Sequence, residues 1–158
     1  MNTFFKIFII TVMTSMILAP QGFSQPQAIA PTQNNQTVKS IIYTSSLDMV
    51  ANPAKYLNKT VTVKGKFDKF TTLGLDYAPA MRSSEDYITF LIQRDDVKDH
   101  NIPLSEMKVF LKRTIAEKHI ELDAGDEVQF SGKIFSNALG DVWMDAETFT
   151  VLKKKDKK

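Results

Sequence analysis

The chain has 158 residues, no cysteine, and 20 basic against 18 acidic side chains. Without cysteine there is no disulfide framework, no thiolate metal site and no cysteine nucleophile. The positive balance sits at the two ends: removing Lys6 and the last six residues, five lysines and one aspartate, leaves 14 basic and 17 acidic residues. An acidic body is a poor match for a nucleic-acid surface, which is built on a basic body or stripe.

Residues 1–24 read as a secretory leader. Lys6 precedes an apolar run from Ile7 to Leu18, short of the roughly 20 residues a membrane-spanning helix needs. Gly22 and Ser24 supply small residues at the −3 and −1 places, so cleavage is expected before Gln25, and the mature protein is expected in the periplasm or outside the cell. Residues 25–40 are polar with two prolines and read as a flexible spacer. The domain is placed at residues 41–152, and the lysine-rich residues 153–158 are expected to fray.

Within the domain, Ser45 or Ser46 can cap a short helix through Leu47, Met49, Val50 and Ala51, stopped by Pro53. Thr60–Phe67 alternates as a strand, with Val61, Val63 and Phe67 on one face and Thr62, Lys64 and Lys66 on the other. Gly65 falls on the inward face. Val128–Ile134 repeats the same order of apolar, polar and glycine positions, with Gly132 at the matching offset. Two strands with glycine at the same offset suit a small closed barrel, whose strands must bend at its corners. Between them lie a loop, Thr71–Glu85, and a strand, Asp86–Gln93, rich in β-branched and aromatic residues. Met107–Lys112 then alternates as a strand and Arg113–His119 reads as a helix, with a single helix over residues 104–119 as the alternative. Asp123–Asp126 is a turn, and Asn137–Asp141 is a hairpin into a last strand, Val142–Val151.

This order, with entry residues Asn52, Pro53, Tyr56–Lys59 and Val61–Gly65, the Leu122–Val128 block with Gly132, and the closing Gly140–Trp143 hairpin, resembles an OB fold. The likeness spans residues 45–152 and is nearest to anticodon-binding-like OB domains and periplasmic bacterial OB-fold proteins, whose mid-domain aromatic and acidic strand is echoed loosely by Tyr87–Asp96. The resemblance implies an all-β, five-stranded Greek-key barrel with one or two short helices. Another small barrel or sandwich is the alternative.

No catalytic constellation is present, and neither a cofactor nor a metal is expected. His100 and His119 read as surface residues, and Asp95, Asp96, Asp99 and His100 as a solvated acidic loop rather than a cation site. If Ile88, Phe90 and Ile92 face the core, Tyr87, Thr89, Leu91 and Gln93 face outward, beside Lys108, Phe110 and Lys112, with Lys64 and Lys66 extending the same side. Such a platform would stack single-stranded bases, though a one-residue change of register would bury it. The loop carries Leu73, Leu75, Tyr77 and Met81, which either contact a partner or fold back over the barrel. The expectation is a non-catalytic binding module of the cell envelope holding a protein, peptide or saccharide partner. Single-stranded nucleic acid is the alternative.

Overall fold

The computed structural model describes residues 41–98 and 101–156; the expected leader and spacer lie outside the described residues. The elements run β1 (Ile42–Tyr43), α1 (Ser46–Ala51), α2 (Pro53–Tyr56), β2 (Thr60–Thr71), β3 (Tyr87–Ile92), β4 (Met107–Lys112), α3 (Arg113–Ala116), β5 (Glu127–Ser136) and β6 (Val142–Lys153). Ser45 caps α1 by accepting the Leu47 N–H at 3.2 Å, and Pro53 opens α2, where its missing N–H costs nothing. Residues 107–116 resolve as strand then helix, the first of the two readings.

The sheet runs β1-β2-β3-β4-β6-β5 and closes on itself through β2 and β5, making a five-stranded barrel with the two-residue β1 added alongside β2. Neighbours are antiparallel except β1 with β2 and β4 with β6. Within the barrel one strand, β2, serves two neighbours in turn: Thr60–Lys66 pairs with β5 and Phe67–Thr71 with β3. The change of partner coincides with a bulge, Asp68 being the extra residue between Phe67 and Lys69. A bulge adds local bend and twist, which lets a single strand turn a barrel corner.

The alternation read from sequence fills the interior. Val61, Val63, Phe67, Phe90, Ile92, Met107, Val109, Leu111, Val128, Phe130 and Ile134 are buried in one cluster with Val142, Met144, Ala146 and Phe149 of β6. Phe90 sits edge-on to Phe130 (5.0 Å, 89°) and Phe149 (5.1 Å, 84°), a favoured geometry for ring quadrupoles. Met49 and Tyr56 join the core from the helical entry, and Leu104 and Ala116 from the β3–β4 connection and α3.

Gly65 and Gly132 turn out not to be equivalent. A Cβ on Gly65 would meet the tip of Ile92 at 3.1 Å, whereas one on Gly132 would lie 1.8 Å from the Asp145 carbonyl oxygen. Gly132 sits at a step in the β5–β6 register, where Ser131 faces Thr148 and Gly132 faces Ala146.

The lysines expected to fray are held at their start. β6 continues to Lys153, and the buried Asp126 carboxylate accepts the Lys155 N–H at 2.8 Å and the Asp123 N–H at 3.0 Å while pairing with Lys154 at 2.9 Å. Burial pushes the Asp126 pKa up, but the Lys155 and Asp123 N–H groups and the Lys154 ammonium outweigh it, and the carboxyl is held below its ordinary range.

Candidate ligand-binding surface

The outer face around Thr89, Phe110 and Trp143, on β3, β4 and the start of β6, does not stand open. The loop between β2 and β3 folds across it, and its backbone bonds show how. Leu75 N–H bonds to Thr72 O, Tyr77 N–H to Gly74 O, Met81 N–H to Tyr77 O, and Arg82 N–H back to Leu75 O. These turns hold Leu75 down against Phe110 and Trp143, making a second, smaller apolar cluster joined by Ala80, Tyr87, Phe135 and Ala138. Gly74, at φ +84°, runs close over it; a Cβ there would meet the Trp143 ring at 3.2 Å.

Three rings lie nearly parallel. Phe110 stacks on Trp143 at 5.9 Å and 14°, and Tyr77 on Trp143 at 5.4 Å and 22°. The Trp143 indole N–H donates to Ala138 O at 2.9 Å, so the β5–β6 hairpin is tied to the same ring. Arg82 Nε donates to Asp145 at 3.0 Å, and a second guanidinium nitrogen bonds the other carboxylate oxygen. Its guanidinium lies over Tyr87 (5.0 Å) and Phe135 (5.1 Å). Lys108 sits over Trp143 at 5.1 Å and is ion-paired to Asp141. Each of these two cations therefore has its own carboxylate.

The expected stacking platform needs correction on this account. Phe110 and Thr89 are fully buried, the first under the loop and the second donating its hydroxyl to Thr71 O at 2.8 Å. Leu91 is buried too. Tyr87 is half-buried beneath Arg82, and Lys108 is committed to Asp141. Lys112 is exposed at the end of β4. Tyr77 remains 41% exposed. The structure thus gathers Tyr77, Tyr87, Lys108 and Phe110 around Trp143. It sends Lys66 and the buried Gln93 to a separate groove and leaves Lys64 exposed on β2 beside it. Of the two readings of the loop, folding back over the barrel holds for Leu75, which is buried on the face, while Leu73, Tyr77 and Met81 stay exposed.

Sequence reasoning missed Trp143, Arg82 and Asp145. The signal was there in β6, where Val142, Met144 and Ala146 alternate inward and so place Trp143 and Asp145 outward. A lone tryptophan on an outward position implies something covering it.

Within the acidic loop, Asp96 is ion-paired to Arg94 at 3.0 Å, which holds its carboxyl below the ordinary range. Asp99 and His100 lie outside the described residues. Among the described residues no three histidine, aspartate or glutamate side chains converge as a cation site. His119 packs against Phe149 at 5.1 Å. No helix among the described residues is long and apolar enough to cross a membrane.

No protein-family model matches the chain, and no curated protein does. Among solved structures, it is similar to an aspartyl-tRNA synthetase from Leishmania major (10% identity, TM-score 0.48, covering 82% of this chain and 24% of that one). It is also similar to asparaginyl-tRNA synthetase from Pyrococcus horikoshii (16%, TM-score 0.42, 64% and 20%). A third is the mitochondrial single-stranded DNA binding protein Rim1 from S. cerevisiae (12%, TM-score 0.40, 62% and 98%). The chain thus spans a quarter or less of either synthetase. The five-strand closure and strand order decide the architecture. The domain is an OB fold. In OB barrels that bind oligonucleotides or oligosaccharides, the contacts come from the face of the second and third barrel strands together with the loops after the first and fourth. Those loops here are residues 72–86 and 137–141, and both anchor on Trp143.

Proposed function

We propose that this chain is an exported, non-catalytic OB-fold binding module whose contact surface for a protein or peptide partner is the pair of loops seated on Trp143. One observation carries the reading: these loops hold large apolar side chains out in solvent, Leu73 (42% exposed), Tyr77 (41%), Met81 (71%) and Leu139 (72%). Met81 and Leu139 also adopt left-handed backbone, at φ 42° and 61°, where an apolar L-residue is disfavoured. Aromatic residues and methionine are enriched at protein interfaces, and exposed apolar patches mark contact sites. Export rests on the leader read in residues 1–24.

The charge pattern supports a largely uncharged contact. Arg82 and Lys108, the cations nearest the stacked rings, are already held by Asp145 and Asp141. A saccharide, which would use the Tyr77 ring, fits the aliphatic Leu73, Met81 and Leu139 less well.

A second reading, single-stranded nucleic acid, is favoured by the half-exposed Tyr77 ring backed by Trp143, a surface on which a base can stack. Trp143 is the chain's only tryptophan, so its emission separates the two readings. Titration with a mixed-sequence single-stranded oligonucleotide at physiological salt is expected to leave Trp143 emission unchanged. A saturable change that Tyr77→Ala removes would overturn the proposal and give the surface to nucleic acid.

A further inference from the structure

Away from the Trp143 loops, a groove of about 240 Å³ runs between the ends of β2, β3 and β6. At about 30 Å³ per water it has room for roughly eight waters, enough for a small anion with part of its hydration. Lys66, Lys153, Lys154 and Lys155 line it, against the carboxylates of Glu127 and Asp156. Lys154 is paired with Asp126; Lys66, Lys153 and Lys155 carry no ion pair among the described residues.

Gln93 also lines this groove. Its side chain is 4% exposed, and its amide nitrogen has no hydrogen-bond partner. A buried donor left unmade is costly, and native structures rarely keep one without a reason. Here the residue that carries the donor lines a space edged by ammonium groups, with the amide nitrogen itself just beneath its surface, and an anionic oxygen is the acceptor that answers both.

The groove is built rather than incidental. Gln93 N–H bonds Lys66 O at 2.8 Å, fixing β3 to β2 at this point. Asp126, by accepting the Lys155 N–H and pairing with Lys154, draws the end of the chain onto the barrel so that three consecutive lysines edge the space. Gly125, at φ +100°, leaves the room that the Lys155 side chain occupies; a Cβ there would lie 2.9 Å from Lys155 Cδ.

We propose that this groove binds a phosphate group, with the Gln93 amide nitrogen and the ammonium groups of Lys66, Lys153 and Lys155 as donors. A tetrahedral anion with several acceptor oxygens suits a groove whose donors are carried on three different strands and their ends, and charge-assisted bonds from ammonium groups are the strong ones. The site is separate from the loops on Trp143 and does not depend on what they hold.

The phosphate can be free or carried on a phospholipid headgroup, and two arms distinguish these. In the first, isotope-labelled protein is titrated with inorganic phosphate at constant ionic strength, reading the Gln93 side-chain amide and the Lys155 backbone amide by NMR. In the second, the protein is sedimented with phosphatidylglycerol or phosphatidylcholine vesicles. Saturable shifts at both groups are expected, with Gln93→Leu and the surface change Lys66→Ala each weakening binding roughly tenfold or more. Vesicle binding specific to phosphatidylglycerol and lost in both variants, without a response to free phosphate, supports the same site with lipid as the source. The proposal is overturned if neither arm responds, or if the responses are unchanged in Gln93→Leu and Lys66→Ala. Because Lys66 is an exposed side chain, its variant stays informative even if Gln93→Leu fails to fold.

Discussion

Replacing Gly132 with alanine should cripple the barrel, while the same change at Gly65 should be tolerated. At Gly132 the new Cβ would lie 1.8 Å from the Asp145 carbonyl oxygen and 2.7 Å from Ala146 Cα, both backbone atoms of the paired strand. Reaching even the 3.0 Å limit of real Cβ contacts requires β5 and β6 to part by roughly 1.2 Å, which stretches ladder bonds of about 2.9 Å beyond hydrogen-bond length. Losing two such buried bonds, with their groups left unmade, costs about 3–5 kcal/mol. For a domain of this size that lowers Tm by roughly 12 °C or more. At Gly65 the contact is 3.1 Å to Ile92 Cδ1, a side-chain tip that can rotate away. The gain from a stiffer unfolded chain offsets part of the crowding, and the net change stays within about 1 kcal/mol. Thermal and urea unfolding followed by circular dichroism measure both. A Gly132→Ala protein within 1 kcal/mol of wild type, or a Gly65→Ala protein hurt equally, would refute the argument.

Other consequences are as direct. Phe110→Ala removes a buried ring from the cluster under the loop and should cost about 3–5 kcal/mol in urea unfolding, a loss a solvent-facing stacking residue would not show. Tyr77→Ala uncovers Trp143; its emission should shift to the red, with a stability loss of only about 1 kcal/mol. Asp126→Asn should cost about 2 kcal/mol at neutral pH, mainly through the hydrogen bonds its carboxylate accepts from Lys155 and Asp123. Because the Asp126 pKa is depressed in the fold, its contribution is fully present above the unfolded value of about 3.9 and is lost as pH falls through the folded value. The gap between wild type and Asp126→Asn should therefore close below about pH 3.9, as measured by urea unfolding at a series of pH values.

Much of the barrel was readable because alternation is a local signal. Val61, Val63 and Phe67, or Val142, Met144 and Ala146, announce their inward face within one strand. Glycine at matching offsets read as a pair of corners, yet β2 changes partner at the Asp68 bulge rather than at Gly65, and only Gly132 abuts backbone, which depends on the register of β6 against β5. The site was harder to read. β4 carries Val109, Phe110 and Leu111 in succession, and an apolar run of this kind signals a strand covered on both sides. Reading Phe110 as a solvent-facing ring ignored it. That Leu75 and Arg82 provide the cover could not be read from spacing, because Arg82 meets Asp145 across 63 positions of chain. The docking of Lys154 and Lys155 on Asp126 is non-local in the same way; a lysine run looks solvated until its carboxylate is known.

The most direct test of the proposed contact surface is site-specific photo-cross-linking in the native host, with the photoreactive residue placed in turn at Met81, Leu139 and, as a reference, Lys55 on α2. One discrete protein adduct shared by positions 81 and 139, absent from position 55 and lost when Tyr77→Ala is added, is the expected result. Adducts equal at all three positions, or none at 81 and 139, would contradict it.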